Sequence, residues 1–170
     1  MKLKTKRLEL VPLEEKYAKE LLEIWQNPET IRYTNALLLD DVEEAREKIE
    51  GWLRRAAQSE YTTHFVILRE QEVIGIVGIP AINENDGKYG FYYQLIKRFW
   101  NNGYGKEAAK AVLIYAIREV KAKMLLADAV PANEASVNIL KGLGFKQIGI
   151  TRHGFTENGN IHNVIHFQYV

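Results

Sequence analysis

Two glycines two positions apart, Gly103 and Gly105, open a long apolar-periodic run in the stretch "WNNGYGKEAAKAVLIYAI". A helix N-terminus presents backbone N–H groups with no intrahelical partner together with the positive end of the helix dipole, and glycines let a ligand come close to both. The pattern therefore suits an anion. Three readings are open: a nucleotide phosphate, the pyrophosphate of another cofactor, or a tight turn holding nothing. A P-loop needs G-x-x-x-x-G-K-[ST], but Gly105-Lys106 is followed by Glu107, and Trp100 stands where the first glycine belongs. Residues 103–108 do fit G-x-G-x-x-A, with Asp128 downstream as a ribose-binding acid. Against that reading, "KRFWNN" separates the glycines from the preceding strand. An antiparallel hairpin also comes first, leaving too little chain for a doubly wound sheet.

Other reactive residue types are sparse. The absence of cysteine excludes a disulfide framework, a thiolate metal site and a cysteine nucleophile. Neither Ser59 nor Ser136 lies in the G-x-S-x-G elbow of a serine hydrolase. His162 and His166 have the i, i+4 spacing of a helical metal pair, but they fall in an apparent strand, where that spacing separates them by ~13 Å. A metal site is rejected.

Several elements must position the glycine pair. "RLELVPL" reads as a short strand ending near its proline, and Ala18, Leu21, Leu22 and Trp25 form one stripe of a helix that "NPET" breaks. A second helix over residues 41–57 follows from Val42, Ala45, Ile49, Trp52, Leu53 and Ala56, with Asp40 as its cap. Strands over residues 63–70 and 72–82 form a hairpin turning near Gln71, and "YGFYYQLI" is the strand that leads to the glycines. A helix over residues 103–119 comes next. After it come a strand over 123–130, a helix over 133–144 capped by Asn133 and stopped by Gly144, a strand "FKQIGIT" and a closing strand "NVIHFQYV". The order predicts an α/β (α+β) fold: a mixed, mostly antiparallel sheet of about seven strands with about four helices on its two faces.

The 170 residues fit one domain spanning 1–170, with 46% hydrophobic and 26% charged residues, an ordinary globular composition. With 23 basic residues against 22 acidic ones, the net charge of +1 gives no field for nucleic acid or an anionic membrane. No window reaches the ~18 apolar residues of a membrane span, so the expectation is a cytoplasmic protein, neither secreted nor embedded. The aromatic residues of "YGFYYQ" could pack internally or against a twin, which leaves monomer and homodimer open.

Three motifs in order carry a family resemblance over nearly the whole chain. "TKRLELVPL" with "EIWQNPETIRY", "RFWNNGYGKEA" and "NEASVNILKGLGF" resemble the Gcn5-related N-acetyltransferase (GNAT) superfamily, in its branch of ribosomal-protein N-terminal acetyltransferases. The resemblance implies acetyl-CoA as cosubstrate and no metal. Its pyrophosphate would be bound by the loop Asn101, Asn102, Gly103, Tyr104, Gly105 and Lys106, with Trp100 at the loop's first position as is usual in that branch. It also implies a strand splayed from its neighbour, freeing backbone groups of Gln94, Leu95 and Ile96 to pair with the pantetheine arm, a β-strand-like pairing. Asn133 would be a side-chain partner of that arm; as a bare sequence feature it is a helix cap.

Acetyl transfer needs a neutral amine, a stabilised oxyanion and a proton for the departing thiolate. Many superfamily members supply the proton from a tyrosine at the position of Leu140, which has none to give. The resembling branch has serine at the third position after the asparagine, so Ser136 is the expected general acid, and a backbone N–H near Leu95 or Ile96 the oxyanion donor. An α-amine with pKa about 7.7 to 8.0 is already partly neutral, so no base is demanded. Glu84, Glu157, His64 and His153 are conceivable bases. The expected acceptor is a protein or peptide N-terminus or a small amine, and residues 31–40 and 152–162 should border its cleft. A noncatalytic acyl-CoA-binding module of the same fold is the alternative.

Overall fold

The computed structural model describes all 170 residues, Met1–Val170. Its elements in chain order are β1 (Leu3–Lys4), β2 (Glu9–Pro12), a 3-10 turn (Glu15–Tyr17), α1 (Ala18–Trp25), α2 (Pro28–Ile31), α3 (Val42–Ala56), β3 (His64–Arg69), β4 (Glu72–Gly78), β5 (Ala81–Asn83), β6 (Lys88–Gly90) and β7 (Tyr92–Leu95). A second 3-10 turn (Lys97–Phe99) leads into α4 (Tyr104–Arg118), β8 (Met124–Ala129), α5 (Glu134–Gly142), β9 (Lys146–Glu157) and β10 (Asn160–Tyr169).

The strands form two five-stranded sheets, ordered β1-β2-β3-β4-β7 and β5-β6-β8-β10-β9. The pairing is mixed and mostly antiparallel, with β6 against β8 the one parallel pair. Two expected strands turn out to be divided between the sheets, which is why there are two sheets rather than one of seven strands. The run 72–82 ends at Gly78 because Pro80 has no N–H to give a ladder; the Pro80 carbonyl instead accepts from Gly90 N at 2.8 Å, and β5 pairs with β6. The run 89–96 is divided at Phe91, with β6 in one sheet and β7 in the other.

Local chemistry accounts for most boundaries. Glu70 and Gln71 both have left-handed backbone (φ 49° and 70°), which makes the β3–β4 connection a tight two-residue hairpin. The expected break at "NPET" is itself a short helix, α2: Asn27 Oδ1 accepts from Glu29 N at 2.9 Å and Pro28 takes the first helical position. Asp41, rather than Asp40, caps α3, accepting from Glu44 N at 2.9 Å. The expected loop over residues 152–162 is a hairpin end of β9 and β10 turning on Asn158 and Gly159 (φ 46° and 82°), an Asn-Gly pair that was readable in the sequence.

A continuous core joins the sheets to the helices, with Trp25, Phe65, Ile74, Ala108 and Val112 at 0% exposure. β3 and β4 are buried on both faces, as strands covered by helices on each side must be. Tyr89 and Phe91 are also in the core, so these aromatics of "YGFYYQ" pack within the chain. No helix is long and apolar enough to cross a membrane.

Gly75 sets the approach of β4 to β7. A Cβ there would collide with the Gln94 carbonyl oxygen and stand 3.1 Å from Leu95 Cα, both backbone atoms that cannot swing aside. Gly75→Ala is expected to cost about 1–3 kcal/mol, the range for overpacking a well-filled site. Denaturant unfolding measures it, and an unchanged midpoint would show that the two strands part freely.

Candidate active site

The division at Phe91 opens the fold. Gly90 still pairs with Leu126 of β8, but from Tyr92 onward the chain pairs with β4 alone, so β7 presents a bare edge to the unpaired side of β8. Phe91 is held in the core by Phe145, their ring centroids 5.0 Å apart.

Backbone direction alternates along that edge. Ile96 N–H donates to Ile74 O at 2.9 Å, which makes residues 74 and 96 a hydrogen-bonded antiparallel pair; Gln94 with Ile76 is the next one. Residue 95 between them therefore points its N–H and C=O away from β4, into the gap. Its carbonyl accepts from Trp100 Nε1 at 3.0 Å, and its N–H is left facing the gap. Of the three backbone positions expected to meet the pantetheine arm, Leu95 has that orientation. Gln94 faces β4, and both Ile96 groups are engaged, its carbonyl by Phe99 N at 3.0 Å.

The glycine loop follows at once. Asn101 and Gly103 have left-handed backbone (φ 62° and 79°), and Asn102 Nδ2 donates to the carbonyls of Trp100 at 2.9 Å and Phe99 at 3.3 Å. The first intrahelical bond of α4 runs from Glu107 N to Gly103 O, 3.1 Å, so the N–H groups of Tyr104, Gly105 and Lys106 have no partner within the helix. A Cβ on Gly105 would lie 3.5 Å from Leu95 Cδ1 and 3.6 Å from Ile139 Cδ1, which marks where α4, β7 and α5 converge. Lys106 is exposed, its ammonium close to Gly142.

An acid in the first turn of α4 would repel an anion, and Glu107 is such an acid. Arg7 occupies it: Arg7 N and Nε donate to Glu107 at 2.9 and 2.7 Å, with Thr5 Oγ1 adding a bond at 2.6 Å. Burial raises the Glu107 pKa, but these hydrogen bonds outweigh it and hold the carboxyl below its usual range. Arg7 also donates to Asn102 O at 2.9 Å and lies 4.5 Å from the Tyr104 ring centroid, so one guanidinium both neutralises the acid and braces the loop. Sequence reasoning missed this pairing, which spans 100 positions.

Across the gap, Asn133 caps α5, its Oδ1 accepting from Ser136 N at 3.3 Å. Ser136 Oγ lies 3.0 Å from Tyr93 Oη, which also donates to Ser136 O at 3.1 Å. Burial pushes the Tyr93 phenol up to about 12, partly offset by the Ser136 bond. Tyr93 was read only as a strand residue; alternation places it on one face of β7 with Leu95, opposite Tyr92 and Gln94. Leu140 points into the core at 1% exposure.

On that opposite face, a cleft of about 380 Å³ is bordered by Trp52, His64, Tyr92, Gln94 and two residues of the 31–40 segment, Thr34 and Ala36. A second hollow of about 590 Å³ lies between the 31–40 segment and the β9–β10 hairpin end, spanned by an Arg32–Glu157 ion pair of 2.7 Å. The four conceivable bases are scattered. Glu84 accepts from Ser59 Oγ at 2.5 Å, and hydrogen bonds from Arg32 and His162 hold Glu157 below its usual pKa. His153 is exposed on β9, while His64 stands in the cleft wall. No group of three or more His, Cys, Asp or Glu side chains is placed to hold a metal ion.

A strand pair splayed beside a helix N-terminus with free amides is the architecture of the GNAT N-acetyltransferases. The sequence profile of the family described as "Acetyltransferase (GNAT) domain" matches residues 7–146, and the chain belongs to that family, an N-acetyltransferase family that uses acetyl-CoA. It is similar to "Uncharacterized N-acetyltransferase p20" of Bacillus licheniformis, 28% identical over 165 residues that cover 96% of this chain and 93% of that one. It is similar also to "Probable N-acetyltransferase YjcK" of Bacillus subtilis (strain 168), 30% identical over 164 residues, 92% and 90% of the two chains. The fold matches that of RimL, a ribosomal L7/L12 alpha-N-protein acetyltransferase solved in complex with coenzyme A, with a TM-score of 0.90 over 100% of this chain and 98% of that one. At 18% identity that likeness is one of fold.

Proposed function

We propose that this N-acetyltransferase moves an acetyl group from acetyl-CoA directly onto a primary amine, a peptide N-terminus or a small amine, with Ser136 as the acid of the reaction. The observation that carries this reading is the convergence of the free amides of Tyr104, Gly105 and Lys106, the gap-facing Leu95 N–H and the Ser136 hydroxyl around one open strand edge.

These residues fit acetyl-CoA. The loop Asn101, Asn102, Gly103, Tyr104, Gly105 and Lys106 supplies anion-binding amides for a pyrophosphate, and the acid that follows it, Glu107, is already neutralised by Arg7. Leu95 offers the N–H for a pantetheine amide or for the oxyanion, whereas Gln94 and Ile96 lend the strand its position. Asn133 keeps a side-chain amide available while its oxygen caps α5. When bound, acetyl-CoA supplies the activated thioester carbonyl.

The chain's own residues would then do three things. Leu95 N–H stabilises negative charge developing on the carbonyl oxygen, with no reorganisation needed. Ser136 gives a proton towards the departing sulfur, and the Tyr93 hydroxyl 3.0 Å away is placed to return one to it. The Tyr93 phenol carries its proton at neutral pH, and burial, which pushes it up to about 12, excludes the phenolate further.

Ser136→Ala is expected to lower kcat about tenfold, below the usual range for a general acid because Tyr93 remains nearby. Acetyl-CoA affinity should be unchanged. Free-thiol release and calorimetric titration measure the two quantities, and an unaltered kcat under rate-limiting chemistry would remove Ser136 from the mechanism.

A further inference from the structure

The cleft on the Tyr92–Gln94 face of β7 has an unusual charge pattern. Lys48 and Arg55 of α3 line it, and none of its lining residues is acidic. Neighbouring charges on the helix are paired with each other, Arg46 with Glu43 and Arg54 with Glu50, while Lys48 and Arg55 are in no ion pair. The Lys48 ammonium instead lies over the rings of Trp25 and Trp52, 5.2 and 5.4 Å from their centroids. Burial first, and Arg55 second, lower its pKa and that of His64 alike. The lysine and arginine charges thus converge on one hollow, beside a histidine that burial keeps neutral, with no acidic residue in its lining, an arrangement that a bound anion would relieve.

The rest of the wall is flat and apolar. The indole of Trp52 stacks on the His64 imidazole at 5.2 Å and 15°, and the Tyr92 ring closes the corner 5.6 Å from Trp52. Gln94 Oε1 accepts from Trp25 Nε1 at 3.2 Å, on the same indole that the Lys48 ammonium lies over. Gln94 adjoins Leu95, whose N–H faces the gap, so the cleft borders the strand that carries the open edge.

We infer that the acceptor is a small primary amine carrying a carboxylate, held by Lys48 and Arg55 with its apolar body against Trp52, His64 and Tyr92. This rests on the acetyl-transfer reading and names its substrate class. In the step, the amine lone pair forms the N–C bond as the C–S bond breaks. The nitrogen loses one proton to water, the thiolate takes one from Ser136, and the serine regains one from water through the Tyr93 hydroxyl, giving an N-acetyl amino acid and free thiol.

Two measurements test it. In the chain without acetyl-CoA, 3-phenylpropanoate should perturb tryptophan fluorescence saturably and at least tenfold more tightly than 3-phenylpropanamide. With acetyl-CoA, the best substrate among the L-amino acids should exceed its own carboxamide at least tenfold in kcat/KM. The carboxamide is the better nucleophile at neutral pH, because a carboxylate raises the pKa of the neighbouring amine, so such a preference has to come from the protein. Lys48→Met with Arg55→Met should erase the preference through KM, with the melting transition and acetyl-CoA binding retained; Arg55→Gln alone should erase part of it. Equal binding of the two phenylpropanoyl probes, equal use of acid and amide, or a preference that survives the double substitution would each overturn the inference. Thiol release with peptides but with no amino acid also overturns it and leaves acetyl transfer standing. Failure to bind acetyl-CoA overturns acetyl transfer itself and the acceptor role with it.

Discussion

Gly105→Glu is expected to weaken acetyl-CoA binding at least 100-fold, roughly 2.7 kcal/mol, without unfolding the chain. The new Cβ would stand 3.5 and 3.6 Å from the nearest side-chain carbons, ordinary van der Waals contacts, and no left-handed backbone is required at this position. Replacing glycine in a helix also recovers some backbone entropy. Its cost falls on the ligand: a carboxylate is placed beside free amides that would otherwise face a pyrophosphate, where glycine allowed close approach. Gly103→Ala is a useful contrast, since at φ 79° the strain falls on the fold itself. Calorimetry with acetyl-CoA, paired with a thermal melt, separates the two outcomes. Retained affinity in Gly105→Glu would mean that this helix end holds no phosphate.

Acidification should destabilise the fold through His64. Burial, the larger cause, and the nearby Arg55 lower its pKa from 6.5 to about 4. The unfolded chain therefore binds a proton at this residue between those values while the folded chain does not, and the unfolded state gains as pH falls. Stability from this group is fully present above pH 6.5 and declines below it, by about 3 kcal/mol once pH reaches 4. Trp52 stacked on the ring, Tyr92 bonded to Nδ1 at 2.6 Å and the cations Lys48 and Arg55 around it offer no carboxylate to accept the charge. Glu107 and Glu157, whose carboxyls are held low, add a loss of the same sign at more acidic pH. His64→Gln keeps an acceptor for the Tyr92 hydroxyl and should flatten the stability profile between pH 6.5 and 4. Denaturant midpoints across that range measure it; parallel profiles for the two proteins would remove His64 as the cause.

Much of the candidate site was legible in the sequence. The glycine pair, the helix behind it and the Asn133 cap are local signals, each set by the backbone of a few consecutive residues, and each stands where its spacing placed it. The resemblance built on three such motifs added the family. What went astray was pairing. "YGFYYQLI" carries an unbroken strand signal, yet the chain changes sheets at Phe91, because strand propensity describes a pleated surface and not which neighbour it meets.

The sequence by itself determined the four longer helices, the β3–β4 hairpin turn and where an anion could approach a helix end, because those properties depend on side-chain period, capping and φ over a few residues. Only the tertiary structure decided that Arg7 covers Glu107, that Tyr93 meets Ser136 and that Lys48 and Arg55 share one cleft with His64. Such contacts join residues tens of positions apart. They arise when apolar faces from distant segments are buried together, and the charges and hydroxyls at the edges of those faces are carried into contact with partners that no local spacing could name.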